Sequence, residues 1–102
     1  MFEVQVLIPT FSNSGENFSV AHHSAFENAL LAAFGGFTLY PSHAAGSWMS
    51  NGVRFDDSLR MYGVALSSLG LGGKLAETVA FARSHYEQEA IFIRYLGMTE
   101  IL

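Results

Sequence analysis

The imidazoles of this sequence are His22, His23, His43 and His85, and with the adjacent carboxylates Asp56 and Asp57 they form a conceivable donor set for a metal. Their spacing argues against one. Neighbouring positions on a helix point about 100° apart, whereas two ligands for one ion are better placed three or four residues apart. The 102 residues include no cysteine, which removes thiolate nucleophiles, disulfides, iron–sulfur clusters and cysteine zinc sites together. The serines fall in cap and loop stretches, and none sits in a Gly-x-Ser-x-Gly elbow. Gly70-Leu71-Gly72-Gly73 precedes a helical stretch, as phosphate-cradling glycines do, but it lacks the Lys and Ser or Thr that complete a P-loop. No metal and no cofactor is therefore expected, and no residue is assigned a catalytic role.

Two features carry more. Tyr40 to Asp57 gathers His43, Trp48, Arg54 and two carboxylates in a segment that interrupts a pair of strands, where functional side chains often sit. Arg94 lies inside the apolar run Ile91-Phe92-Ile93-Arg94-Tyr95-Leu96, and a guanidinium on a sheet face must be paired, stacked or wetted. Tyr40, His43, Trp48 and Arg94 are accordingly the candidate pocket residues. Arg94 would take a small anionic ligand, since its planar fork grips both oxygens of a carboxylate. The same residues also have structural roles to fill. Trp48 can cover the core beside a hairpin, Arg54 can pair with Asp56 or Asp57, and Arg94 can pair with Glu3, Gln5 or the acids at 56 and 57. His23 is expected at the solvent boundary and His85 on the flank of the second helix.

The elements that must position these groups follow from periodicity. Residues 2 to 9 alternate, with Phe2, Val4, Val6 and Ile8 on one face and Glu3, Gln5 and Leu7 on the other, so they read as a strand ended by Pro9. Turn residues 12 to 17 lead to a helix near 19 to 34, capped by Asn17 or Ser19 and closed by Gly35-Gly36. Its stripe is Phe26, Ala29, Leu30 and Ala33. Strands follow near 37 to 41 and 58 to 66, separated by a loop with a type I′ turn at Asn51-Gly52, and Gly63 marks a place where a side chain is unwelcome. A second helix near 74 to 89 carries Leu75, Val79, Ala82 and Tyr86 on one stripe, and a last strand spans 91 to 96.

Strand, helix, strand, strand, helix, strand, joined by right-handed crossovers, is the ferredoxin-like βαββαβ architecture: an α+β domain spanning residues 1–102, with a four-stranded antiparallel sheet and both helices on one face. The other face is left open. By alternation it holds Gln5, Leu7, Thr38, Tyr40, Phe92 and Arg94.

Ile8-Pro9-Thr10, Phe34-Gly35-Gly36-Phe37-Thr38, Gly46-Ser47-Trp48 and Gln88-Glu89-Ala90-Ile91 resemble a group of uncharacterised bacterial proteins of ferredoxin-like fold, and the resemblance covers most of the chain. It implies the fold and a bacterial cytoplasmic origin, and transfers no catalytic residue.

A net charge of −4 with five Lys plus Arg opposes a nucleic-acid partner, whose phosphates call for basic side chains. No run approaches the ~20 apolar residues of a membrane-spanning helix, so no membrane partner is expected. Charged residues are 14% of the chain against about 25% in an average soluble domain, which leaves surface for a partner to cover. Two functions meet these constraints. One is a non-enzymatic binding domain that homodimerises through its sheet or an added edge strand. The other is a small-molecule enzyme of the dimeric α+β barrel type, its pocket on the open face lined by Tyr40, His43, Trp48 and Arg94.

Overall fold

The computed structural model describes residues 2–40, 44–66 and 72–98. The order is β1 (Phe2–Pro9), α1 (Val20–Phe34), β2 (Thr38–Leu39), β3 (Ala44–Ser50), β4 (Val53–Leu66), α2 (Gly72–His85) and β5 (Phe92–Met98). All strand pairs are antiparallel, and the sheet runs β5, β1, β4, then β2 and β3 end to end along the outer side of β4. The fold is α+β and ferredoxin-like, as the alternation of elements requires.

The sheet is larger than expected. Asn51 and Gly52 both adopt positive φ, 51° and 77°, the signature of the type I′ turn read from Asn-Gly. That turn joins β3 and β4 in register from Ser50↔Val53 to Ala44↔Leu59. The segment read as a loop before 58 is thus a strand added to the sheet, and β4 is a single strand of 14 residues.

Val4, Val6 and Ile8 from β1 and Tyr62, Val64 and Leu66 from β4 form the sheet side of the core, meeting Phe26 and Leu30 of α1 and Leu75, Ala82 and Tyr86 beside them. Fully burying a side chain such as Leu30 contributes about 1.5–3 kcal/mol. Of the two cap candidates it is Ser19 that starts α1, its hydroxyl accepting from the His22 N–H at 3.0 Å, and Gly35 closes it at φ 77°.

The second helix ends four residues before the expected 89. The Gln88 N–H donates to the Arg83 carbonyl at 2.9 Å and the Glu87 N–H to that of Ser84 at 3.3 Å, with Glu87 at φ 53°. This is a Schellman closure with glutamate in the left-handed position that glycine normally takes. The sequence offered no glycine to mark it.

Candidate functional site

The open face is built by the residues that alternate away from the core. Gln5 stands opposite Gly63 on one side and Arg94 on the other, and Leu7 opposite Met61 and Phe92. Tyr40 continues β2, its N–H donating to the Met61 carbonyl at 3.0 Å. Its ring lies across Gly63, where a Cβ would stand 3.2 Å from Tyr40 Cε2 and 3.1 Å from Glu3 Oε1. The Tyr40 hydroxyl donates to that same Glu3 oxygen, and the bond holds its phenol above the usual tyrosine range. Beneath lies Gln5, 6% exposed, with an Oε1 that finds no donor among the described residues. Its neighbour Arg94 is exposed and makes no hydrogen bond or ion pair among the described residues.

A cleft of about 750 Å³ opens at the far end of this sheet. Its walls are the β3–β4 hairpin, the loop that follows Pro9, and the connection from α2 to β5. Trp48 and Phe55 face each other across the hairpin and stack, centroids 4.7 Å apart at 22°. The indole N–H donates to Asp57 Oδ2 at 2.8 Å. Phe11 and Phe92 add apolar surface. Asp56, Asp57, Glu87 and Glu89 line the cleft, and among the described residues no lysine or arginine does. Asp56 is neutralised from outside by Arg54 at 2.9 Å, and the Ser47 hydroxyl together with that guanidinium holds its carboxyl below the usual range. The walls are tied together: Asn13 Nδ2 donates to the Glu87 carbonyl at 2.9 Å, and Gln88 Nε2 donates to the Tyr86 carbonyl at 3.0 Å and to Asn13 Oδ1 at 3.3 Å.

Two polar clusters went unread in the sequence. His22 Nε2 faces the His85 carbonyl at 2.7 Å and His85 Nε2 faces the His22 carbonyl at 2.7 Å. A carbonyl only accepts, so both rings carry their proton on Nε2. The rings stack at 3.8 Å and extend into a column, Phe18 on one side at 4.9 Å and Phe81 on the other at 5.1 Å. His23, placed by its sequence context at the solvent boundary, is instead 5% exposed, its Nδ1 2.8 Å from the Tyr86 hydroxyl. An i, i+63 relation such as His22 with His85 has no local signal. The second cluster joins Glu27 of α1 to the Tyr62 hydroxyl at 2.7 Å and to Arg60 at 3.4 Å. Burial first, then the Glu27 carboxylate, pushes the Tyr62 phenol far above its ordinary range.

Of the pocket residues read from the sequence, Tyr40, Trp48 and Arg94 share the open face but stand apart. Tyr40 packs on Gly63 toward the β2 edge, Arg94 lies across β1 on β5, and Trp48 belongs to the cleft. His43 lies outside the described residues. Trp48 does not cover the core; it stacks on Phe55, 41% exposed. Arg54 pairs with Asp56, one of its two expected partners, while none of the protein partners expected for Arg94 reaches it among the described residues. Among the described residues no three imidazoles and carboxylates gather closely enough to hold a metal ion, and no helix is long and apolar enough to cross a membrane.

No family model and no curated protein sequence matches this chain. Solved structures do. A phage SAM lyase in its apo state is 13% identical with a TM-score of 0.69, over 98% of this chain and 84% of that one. The divalent cation tolerance protein CutA1 from Thermus thermophilus is 14% identical with a TM-score of 0.67, over 99% and 86%. A CutA1 variant from Pyrococcus horikoshii is 12% identical with a TM-score of 0.66, over 100% and 87%. At such identities the likeness establishes the shared ferredoxin-like fold.

Proposed function

We propose that this chain is a small non-enzymatic binding domain that works as a homodimer joined along β5. The observation that carries the reading is the outer edge of that strand. Among the described residues β5 is the last strand on its side of the sheet, and one row of its backbone N–H and C=O groups has no strand beside it. Proteins normally guard such an edge with lysine, proline or a covering element. Here Phe92, Ile93, Tyr95 and Leu96 surround a single charge, Arg94, and Tyr95 is 75% and Leu96 42% exposed. Tyr95 and Ile93 border a groove against Leu75, Val79, Ala80 and Arg83 of α2, which a partner strand would roof over. Antiparallel β5–β5 pairing satisfies both backbone edges with one two-fold axis. Light scattering tests it. A mass twice the 11.1 kDa of one chain at micromolar concentration is expected, with Tyr95→Lys, Leu96→Lys giving monomers that keep the native circular-dichroism spectrum. A wild type that remains monomeric refutes the dimer.

A second reading rests on Arg94. Its guanidinium has no carboxylate among the described residues, and a small anionic ligand on the open face would supply one. An enzyme pocket around Arg94 is the catalytic form of the same idea. The phage SAM lyase in complex with S-methyl-5'-thioadenosine is a ferredoxin-like neighbour that holds a small molecule. Thermal shift against a panel of small carboxylates separates the cases: a shift lost in Arg94→Met favours the ligand, and no shift for any of them leaves Arg94 to the dimer.

A further inference from the structure

We infer that the cleft between the β3–β4 hairpin and the α2–β5 connection is a binding site for a small organic cation, one that lays an aromatic or alkyl body on Trp48 and Phe55 and sets its positive charge among Asp57, Glu87 and Glu89. This names a ligand class for the binding-domain reading and does not depend on β5 as the dimer edge.

Size and walls come first. About 750 Å³ falls within the usual ~300–1,000 Å³ of small-molecule sites. Trp48 and Phe55, 41% and 43% exposed, present a stacked aromatic surface to the cleft. The indole is held by Asp57, so the platform is set before a ligand arrives and little rotamer entropy is lost on binding.

Charge then selects the ligand. Asp57, Glu87 and Glu89 have no cationic partner among the described residues, and Arg54 is committed to Asp56. An anion is repelled from such a cleft. The carboxylates are too dispersed to ligate a metal ion, since no three of them gather around one point among the described residues. Dispersed carboxylates beside π faces suit instead a charge that is itself spread over a large, weakly hydrated group, as in a quaternary ammonium or similar onium ion, where the ring faces contribute cation–π attraction.

Trp48 is the sole tryptophan, so its emission reports the cleft directly. Benzyltrimethylammonium titrated into the full chain should change Trp48 emission saturably, while neutral benzyl alcohol and anionic phenylacetate should not. Asp57→Asn keeps an acceptor for the indole N–H and removes the charge; with Glu89→Gln it should weaken binding about tenfold, equivalent to ~1.4 kcal/mol. Raising the salt should weaken it too. Trp48→Leu, followed by calorimetry, should abolish the heat of binding. Equal binding of benzyl alcohol, or an unchanged affinity in the Asp57→Asn, Glu89→Gln chain, overturns the proposal. So does a Trp48 emission that shifts on diluting the protein alone, because the occupant is then a second copy. Failure of the β5 dimer would appear only in the mass and leave the titration intact.

Discussion

Replacing His22 and His85 by alanine, singly and together, isolates what the ring column contributes. Each histidine donates to the other's backbone carbonyl, and truncating one side chain leaves its own carbonyl in place for the other. The two hydrogen bonds are therefore independent, while the 3.8 Å stack needs both rings. Each single variant should lose one bond, about 0.5–1.5 kcal/mol, and the stack, about 0.5–1.5 kcal/mol. Alanine's better helix propensity returns up to ~0.7 kcal/mol. The double variant loses both bonds and the stack only once. The coupling energy is then the stack alone, ~0.5–1.5 kcal/mol, because the bond and propensity contributions cancel in the cycle. Urea unfolding of the four proteins measures it, read as midpoint shifts at constant slope. A coupling of zero, or singles within ~0.3 kcal/mol of wild type, refutes the idea that this pair clasps α1 to the end of α2.

Glu87→Gly should stabilise the protein by about 0.5–1 kcal/mol, since a non-glycine residue at positive φ costs ~1–2 kcal/mol and glycine's unfolded-state entropy takes part of that back; a lower urea midpoint would contradict the Schellman closure at φ 53°. Gly63→Ala should destabilise by roughly 1–2 kcal/mol as the new methyl displaces the Tyr40 ring and the Glu3 oxygen bonded to it, and Tyr40→Ala in the same chain, which also frees Glu3 to swing away, should remove most of that penalty, whereas full additivity would show that the 3.2 Å approach is not the cause. Burial, as the main cause, raises the phenols of Tyr62 and Tyr86. Their stabilisation is complete below the ordinary phenol range near ~10 and is lost as the pH climbs above it, so their ionisation should accompany alkaline unfolding; complete tyrosinate absorbance in a chain that keeps its native circular dichroism would refute this.

The residues whose partners are close in sequence were readable. Phe2 to Ile8 alternates in side-chain type apart from Leu7, although both faces are buried from Val4 onward, Ser19 and Gly35 bracket α1, and Asn51-Gly52 dictates its own turn. Gly63 announced a close approach, although only the fold shows that Tyr40 makes it. Small residues hid β3: Ala44, Ala45, Gly46 and Ser47 have weak strand propensity, and they are a strand because β4 pairs with them. The end of α2 was hidden in a similar way, because Glu87 occupies a glycine position with no glycine to show it. The cleft was half legible. Trp48, Asp56 and Asp57 stood out, but Phe11, Glu87 and Phe92 join them only through the tertiary arrangement, as His22 joins His85.

The length of β4 gives the molecule two mechanical regimes. Fourteen residues at ~3.4 Å each match the longest dimension of the molecule, 44 Å, so one strand runs its full length. From Ser58 to Leu66 it is clamped by β1 and Thr10 as well as by its outer neighbours, whereas from Val53 to Asp57 it has only β3 beside it among the described residues. Opening that outer part breaks one ladder and exposes no core residue, so its amides should exchange with solvent at a free energy well below global unfolding. The hairpin is then a lip that can flex on a fixed base. Phe11, Glu87 and Phe92 keep their places on the folded body, and a ligand's entry or release needs motion of one wall alone.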